Sequence, residues 1–328
     1  DTDLYQVRDG EYYPDDWQSC GNNIHRILLI SRFDGEWKTV NILYRQEMLN
    51  LRDEGYLVPS DDQMFETYEA GHLVNLVLDS DRPNPLFRSP IGTDPKHILD
   101  LGTGKGVWAI DVADMFPNGN DEVDDALQEW TWREPFDLIH MRIMIGSFTE
   151  SEWDRVYKQC YEKLQPGGWI EQIEASPVVL CDDGSLPADN ILHSWGVYTM
   201  ECAKKAGREL NAIDTMAENI RKAGFVEIHE KESKWPIGPW PRDKRLKEAG
   251  VVNFQHWMSG MEGWCMWLLT KFGSPQPWTK EEVHVYVAKM RAELKTPRFH
   301  IYQRARRVWA RKPFVDELEP YIKKEPSP

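Results

Sequence analysis

Apolar positions along the chain change period several times, and each change marks a new element. Residues 1 to 58 show little periodicity apart from one apolar run, IHRILLI, at 24–30. From Pro59 the pattern sharpens. Ser60 and Gln63 form a capping-box signature, and Phe65, Tyr68, His72 and Leu76 recur on one helical face. The stretch HILDLGTGKGVWAIDVADMFP, from His97 to Pro117, then runs apolar into glycines at 102, 104 and 106. It resumes with helical spacing at Val107, Ile110, Val112, Ala113 and Phe116. This predicts strand, tight turn and helix.

The alternation continues downstream. Phe136–Met141 reads as a strand, and a helix from Thr149 to Leu164 opens on a Thr149/Glu152 capping box and is stopped by QPGG at 165–168. WIEQIEA is a strand, a helix over 211–223 ends at Gly224, and FVEIHEK is another strand. Strands alternating with helices imply a mainly parallel α/β sheet covered on both faces. Two helix-like segments, 187–208 and 235–295, interrupt the rhythm and are expected to cap the sheet. The second carries Trp235, Trp240, Trp257, Trp264, Trp267 and Trp278. These could line a planar-substrate pocket, although helical spacing favours packing. RFHIYQRARRVWARKP reads as a late strand. Its Arg304, Arg306, Arg307, Arg311 and Lys312 could imitate a nuclear localisation run, but a solvated strand face is the preferred reading. No internal repeat or low-complexity tract is evident.

Composition narrows the partners. With 39 basic and 54 acidic residues among 328, the net charge of −15 repels phosphate backbones and anionic membranes. No direct nucleic-acid or membrane partner is expected. The five cysteines, Cys20, Cys160, Cys181, Cys202 and Cys265, form no C-x-x-C pair, which signals neither a disulfide framework nor a zinc site. A reducing intracellular compartment, cytoplasm or nucleus, is expected. No apolar run approaches the roughly 20 residues of a membrane span. The start DTDLYQVRDG is unlike a signal peptide and lacks methionine, so it is read as trimmed or incomplete.

Three nucleotide-binding turns compete for DLGTGKGVWAI. A Walker A loop fails because Lys105 is followed by Gly106 and the preceding glycine spacing is wrong. A dinucleotide fingerprint is weak because the third residue after Gly104 is Val107. The remaining pattern, D-x-G-x-G-x-G with Asp100 ending the strand, resembles the S-adenosylmethionine (SAM) turn of class I methyltransferases. Glycines there admit a ligand to the backbone, and the carboxylate can hold the donor's ammonium end, directly or through water. A turn used only for packing is the alternative. VDDALQEW then sets Asp124 and Asp125 before Ala126, where a carboxylate and the next amide could meet adenine. Surface solvation is the competing reading of that pair.

Taken with VDDALQEWTW, FDLIHMR, YEKLQPGGWIEQIE, CDDGSLPADN, PIGPWPRDKRLKEAG, EEVHVYVAKMRAELKTPRFHIY and RRVWARKP, the chain from about Tyr56 onward resembles the fungal LaeA-like methyltransferases, also called UMTA- or TAM-type. The resemblance implies a class I, Rossmann-like fold of seven strands with the last antiparallel, and SAM as cofactor. It implies a methyltransferase domain over 59–328, with the cap segments inserted, behind an N-terminal extension at 1–58. Asp100, Gly102, Thr103, Gly104 and Gly106 would line the amino-acid and ribose side. Asp124, Asp125 and Ala126 would face adenine, and His140, Met141 and Arg142 would border the methyl-transfer site. His140 is the first candidate for a catalytic base, ahead of His193 and His256. Lys105 departs from the threonine that relatives often carry.

Three functions stay open at this point. The first is a SAM-dependent methyltransferase of fungal secondary metabolism, acting on a natural product or a protein. The second is a regulator that works by binding velvet-type partners in the nucleus. The third is a methyltransferase fold that has lost its donor. One gap bears on all three. A class I sheet requires a strand beside the first one, ending in an acidic residue for the ribose hydroxyls, yet only six residues separate Pro117 from Asp124. At about 3.3–3.6 Å each they cannot form a strand and a crossover. Loss of that strand would expose the edge of the first strand and remove the ribose carboxylate, so the sequence is read as joined across a segment missing between Pro117 and Val123.

Overall fold

The computed structural model describes residues 26–33, 36–37, 62–104, 106–116, 123–127, 129–208 and 210–317; for 26–33, 36–37, 62–65 and 123–125 it describes the backbone alone. The expected Ser60/Gln63 cap, the break between Pro117 and Val123, Lys105 and Cys20 lie outside what is described.

Three strands form the centre of the sheet. β3 (His97–Leu101), β5 (Phe136–Arg142) and β6 (Leu164–Ala175) pair in parallel, with Asp100 opposite His140 and Met141 opposite Gln172. β9 (Ile301–Arg311) runs antiparallel to β6, and β8 (Val226–Pro236) and the short β7 (Leu180–Cys181) pair with it in turn. On the other side, β1 (Arg26–Phe33) lies antiparallel to β3 and carries β2 (Glu36–Trp37) and β4 (Val123–Asp125). Nine described strands result, and β1 and β9 oppose the direction of the rest. Two more strands are present than the resemblance implied.

The segment read as an N-terminal extension therefore supplies a strand to the main sheet. Its apolar run takes the place beside β3 that the short 118–123 stretch cannot fill, so the edge that a lost strand would expose is covered. The register sets Ile27 opposite Leu101 and Leu28 opposite Asp100.

Alternation along the strands sorts side chains to two faces. Ile98 and Leu138 meet Trp108, Ala109 and Val112 of α2 (Val107–Met115). Leu99, Leu101, Ile139 and Met141 meet α3 (Glu150–Lys163) and α5 (Ala212–Lys222) through Val156, Cys160, Met216 and Ile220. The α3 capping box forms as expected, with Thr149 accepting from Glu152 N and Glu152 from Thr149 N. QPGG does end that helix, but it lies within β6, where the β5 register shifts between Phe136 and Leu138.

The cap consists of α4 (Leu192–Lys205), α6 (Lys244–Phe272) and α7 (Lys280–Leu294), built around Trp195, Trp257, Met261, Cys265 and Leu268. Its tryptophans pack: Trp257 is 1% exposed and Trp264, Trp267 and Trp278 lie against the same cluster, while Trp235, on β8, is 3% exposed in a separate cluster with Val74 and Ile173. The helix before the glycine turn, α1 (Asp62–Leu78), packs along α6, tied by His256 Nδ1 to Thr67 O at 2.7 Å and Thr67 Oγ1 to Ser259 Oγ at 2.9 Å.

The arginines of β9 divide between a partly exposed face, with Arg304 at 38% side-chain exposure, and a buried one. Arg307 and Arg311 are buried, Arg307 bonding Glu171 and Asp79 at 2.8 Å each and Arg311 pairing with Glu227 and Glu317. Arg304 and Arg306 pair with Glu232 and Glu230 on β8. Opposite charges across an antiparallel ladder explain this arginine run structurally.

Candidate functional site: the glycine turn at the strand ends

The turn after β3 requires glycine at each of its three positions, because Gly102, Gly104 and Gly106 have φ of 72°, 60° and 82°. Their surroundings differ. A Cβ at Gly102 would lie 2.3 Å from Met144 Sδ, whereas a Cβ at Gly104 would meet nothing within 4 Å among the described residues. Gly102 is thus closed by packing, and Gly104 faces open space. Between them, Thr103 Oγ1 is buried without a hydrogen-bond partner among the described residues.

Asp100 projects from the end of β3 on the α2 face and is 4% exposed. Its Oδ1 is 2.8 Å from His140 Nδ1, and the imidazole stacks on Trp108 with centroids 3.7 Å apart and planes at 4°. Trp108 is fixed in turn by its Nε1, which donates to Leu86 O at 3.1 Å. Burial lowers the His140 pKa, opposed by the Asp100 carboxylate. The ring is therefore neutral near pH 7, donating through Nδ1 to Asp100, while Nε2 is buried without a partner among the described residues.

A second chain of bonds joins α1, α2 and β5. Arg142 Nη1 lies 2.9 Å from His72 Nδ1, and His72 Nε2 lies 2.8 Å from Asp111 Oδ2. A guanidinium can only donate, so His72 accepts at Nδ1 and donates from Nε2 to Asp111. Desolvation lowers the His72 pKa and brings Arg142 to about 10, still protonated at neutral pH. This relay fixes the end of β5 against the helices flanking the glycine turn.

Beyond β5 the backbone is strained. Ile143 has φ 53°, unusual for a β-branched residue, and its N–H donates to Ile173 O at 2.8 Å. Glu174 accepts from Met144 N and Ile145 N at 3.2 and 3.1 Å and from Gln172 Nε2 at 2.9 Å. Its burial raises the carboxyl to about 7.

The remaining expected residues separate into two groups. Met141 is fully buried in the core. Asp124 and Asp125 occupy β4, in register with Ile27 and Arg26, one strand further out than β1. Two strand spacings, about 10 Å, thus separate them from β3, and Ala126 behind them is fully buried. The Ala126 carbonyl accepts from Trp130 Nε1 and Gln159 Nε2 at 3.2 Å each. The end of the strand beside β3 carries Arg26 and Ile27 where the resemblance implied an acidic residue. His193 lies at the start of α4, and His256 is committed to Thr67 O. No group of three or more His, Cys, Asp or Glu suited to a metal occurs among the described residues.

Two features missed in the sequence are the His72–Asp111 link and the Trp108–His140 stack. His72 was legible only as one position of an amphipathic face. Contact between residues 39 positions apart is not a local signal.

The residues present fit a SAM donor on the amino-acid side: open space over Gly104, an unpaired Thr103 hydroxyl and a carboxylate held at the strand end. Parallel strands converging on such a turn define a class I SAM-dependent methyltransferase. No family model matches the chain, but individual relatives do. It is 34% identical over 258 residues to methyltransferase pytC of Aspergillus terreus, covering 73% of this chain and 77% of that protein. It is 30% identical over 284 residues to the secondary metabolism regulator LAE1 of Cochliobolus heterostrophus, covering 79% and 90% of the two chains. The chain belongs to this LaeA-like family of fungal secondary-metabolism methyltransferases. Among solved structures, PigF with SAH overlays with a TM-score of 0.35 at 16% identity, covering 52% of this chain and 54% of that one.

Proposed function

We propose that the chain methylates a small natural product of fungal secondary metabolism. The observation that carries this reading is the open glycine turn over a buried Asp100, in a chain more similar to the methyltransferase pytC than to the LAE1 regulator. SAM supplies an electrophilic methyl group on a sulfonium. The chain's own residues position and desolvate: Asp100 and Thr103 bind the amino-acid end, Gly104 lets the backbone close on it, and Asp125 with Ala126 receives the adenine. Methyl transfer is an in-line displacement, so holding the acceptor lone pair in line in a water-poor site accounts for most of the protein's part.

His140 is a positioning residue in this reading. With no exposed surface and a ring covered by Trp108, it does not reach an acceptor as the base expected from its strand-end position. It aligns Asp100 instead. A protein acceptor, or a regulatory role through velvet-type partners, is the second reading, favoured by the 90% coverage of LAE1. A cytoplasmic or nuclear location suits either.

Incubation with methyl-labelled SAM and a fungal small-molecule extract tests the choice. Label in organic-extractable product supports the proposal. Label confined to protein, or capture of a velvet-type partner without turnover, supports the second reading and overturns the first.

A further inference from the structure

A cavity of about 210 Å³, lined by none of the glycine-turn residues, lies between the C-terminal turn of α1, the first turn of α6 and the strands β8 and β9. Leu78, Ile173, Trp235 and Leu246 supply apolar wall, while Arg88, Lys231, Arg245 and Arg307 supply charge. On a chain of net charge −15 this concentration of cations is unusual.

The charges at its base do not balance. Arg88 and Arg307 both bond Asp79, and Arg307 also bonds Glu171 at 2.8 Å. Glu171 is saturated, accepting as well from Arg88 N at 2.8 Å, Ser89 N at 2.9 Å and Ser89 Oγ at 2.7 Å. Lys231 stands 3.8 Å from Asp79, too far for a hydrogen bond. Three cations thus share two carboxylates. The Arg88 side chain is 8% exposed, and its Nε has no hydrogen-bond partner among the described residues. Arg245 is matched separately, by Asp81 and Leu78 O.

We infer that this cleft binds a small organic molecule by its oxoanion group, carboxylate or phosphate, with an apolar body against Trp235, Ile173 and Leu246. An oxoanion supplies the missing charge at Lys231, the half-exposed cation of the three; Arg88 Nε, which is buried, reports that charge through the field and not by contact. The field agrees: the Lys231 pKa is lowered by desolvation and then by Arg88, partly offset by Asp79. The site is separate from the donor turn and serves as a second ligand site.

The test follows the Arg88 Nε–Hε resonance by nuclear magnetic resonance during titration with inorganic phosphate, acetate, benzoate and, as a control, sodium chloride. A saturable shift with any of the three oxoanions supports the inference, and their order identifies the head group and the worth of an apolar body. Lys231→Ala, at a half-exposed position, is expected to weaken the effective probe about tenfold or more. Lys158→Ala on exposed α3 surface leaves it unchanged, and neither variant alters S-adenosylhomocysteine binding. A shift that merely tracks ionic strength, no saturable shift with any oxoanion, or equal affinity in Lys231→Ala overturns it.

Discussion

Gly102→Ala and Gly104→Ala place one methyl group at two points of the same turn, and the structure assigns them different consequences. Both positions have positive φ, so each substitution costs about 1–2 kcal/mol of left-handed strain. At Gly102 the new Cβ would also lie 2.3 Å from the sulfur of buried Met144. Displacing a core side chain adds about 1–3 kcal/mol, for a total loss of about 2–5 kcal/mol. At Gly104 the new Cβ meets nothing within 4 Å among the described residues, and the fold loses only the strain. That same space is where the donor must touch the backbone, so the methyl group is expected to weaken S-adenosylhomocysteine about 10–100-fold, the equivalent of about 1–3 kcal/mol of overpacking. Urea denaturation measures the first quantity and titration calorimetry the second. A Gly104→Ala protein that binds S-adenosylhomocysteine as tightly as wild type would refute the assignment of the turn.

Asp125→Ala is expected to weaken the same ligand by about 1–3 kcal/mol, with Asp124→Ala doing less; calorimetry showing the reverse order reassigns the adenine contact. His256 is lowered to about 4 by burial, so stability present above its unfolded value of about 6.5 falls away as pH drops toward 4, by up to about 3 kcal/mol. Urea midpoints of His256→Gln should show a shallower acid limb than wild type. Glu174, raised to about 7, has the opposite sign: the stability it contributes below about pH 4.5 is lost as pH rises through 7, a loss that denaturation between pH 5 and 8 will measure. Burial raises the Cys160 thiol and takes Cys265 to about 12, so a thiol reagent is expected to label the partly exposed Cys181 first among Cys160, Cys181, Cys202 and Cys265.

Elements with a local signature were legible in advance. The strand–turn–helix at 97–116, the Thr149/Glu152 cap and the stop at Gly224 each depend on residues a few positions apart, and each formed where the sequence set it. Long-range pairings were not legible. IHRILLI showed only an apolar run, and nothing local said that it would pair antiparallel with His97–Leu101. The arginines of β9 read as solvated because their carboxylates, Asp79, Glu171 and Glu227, lie far away in sequence. His140 shows the same limit at the site: its strand-end position was legible, but the Trp108 ring over it was not.

A crystal structure of the protein with S-adenosylhomocysteine tests the central claim most directly. The account predicts the ligand's amino-acid end over Gly104, within reach of Asp100 and the Thr103 hydroxyl, with adenine at Asp125 and Ala126. Ligand bound elsewhere, or a turn that stays empty at saturating concentration, would contradict it.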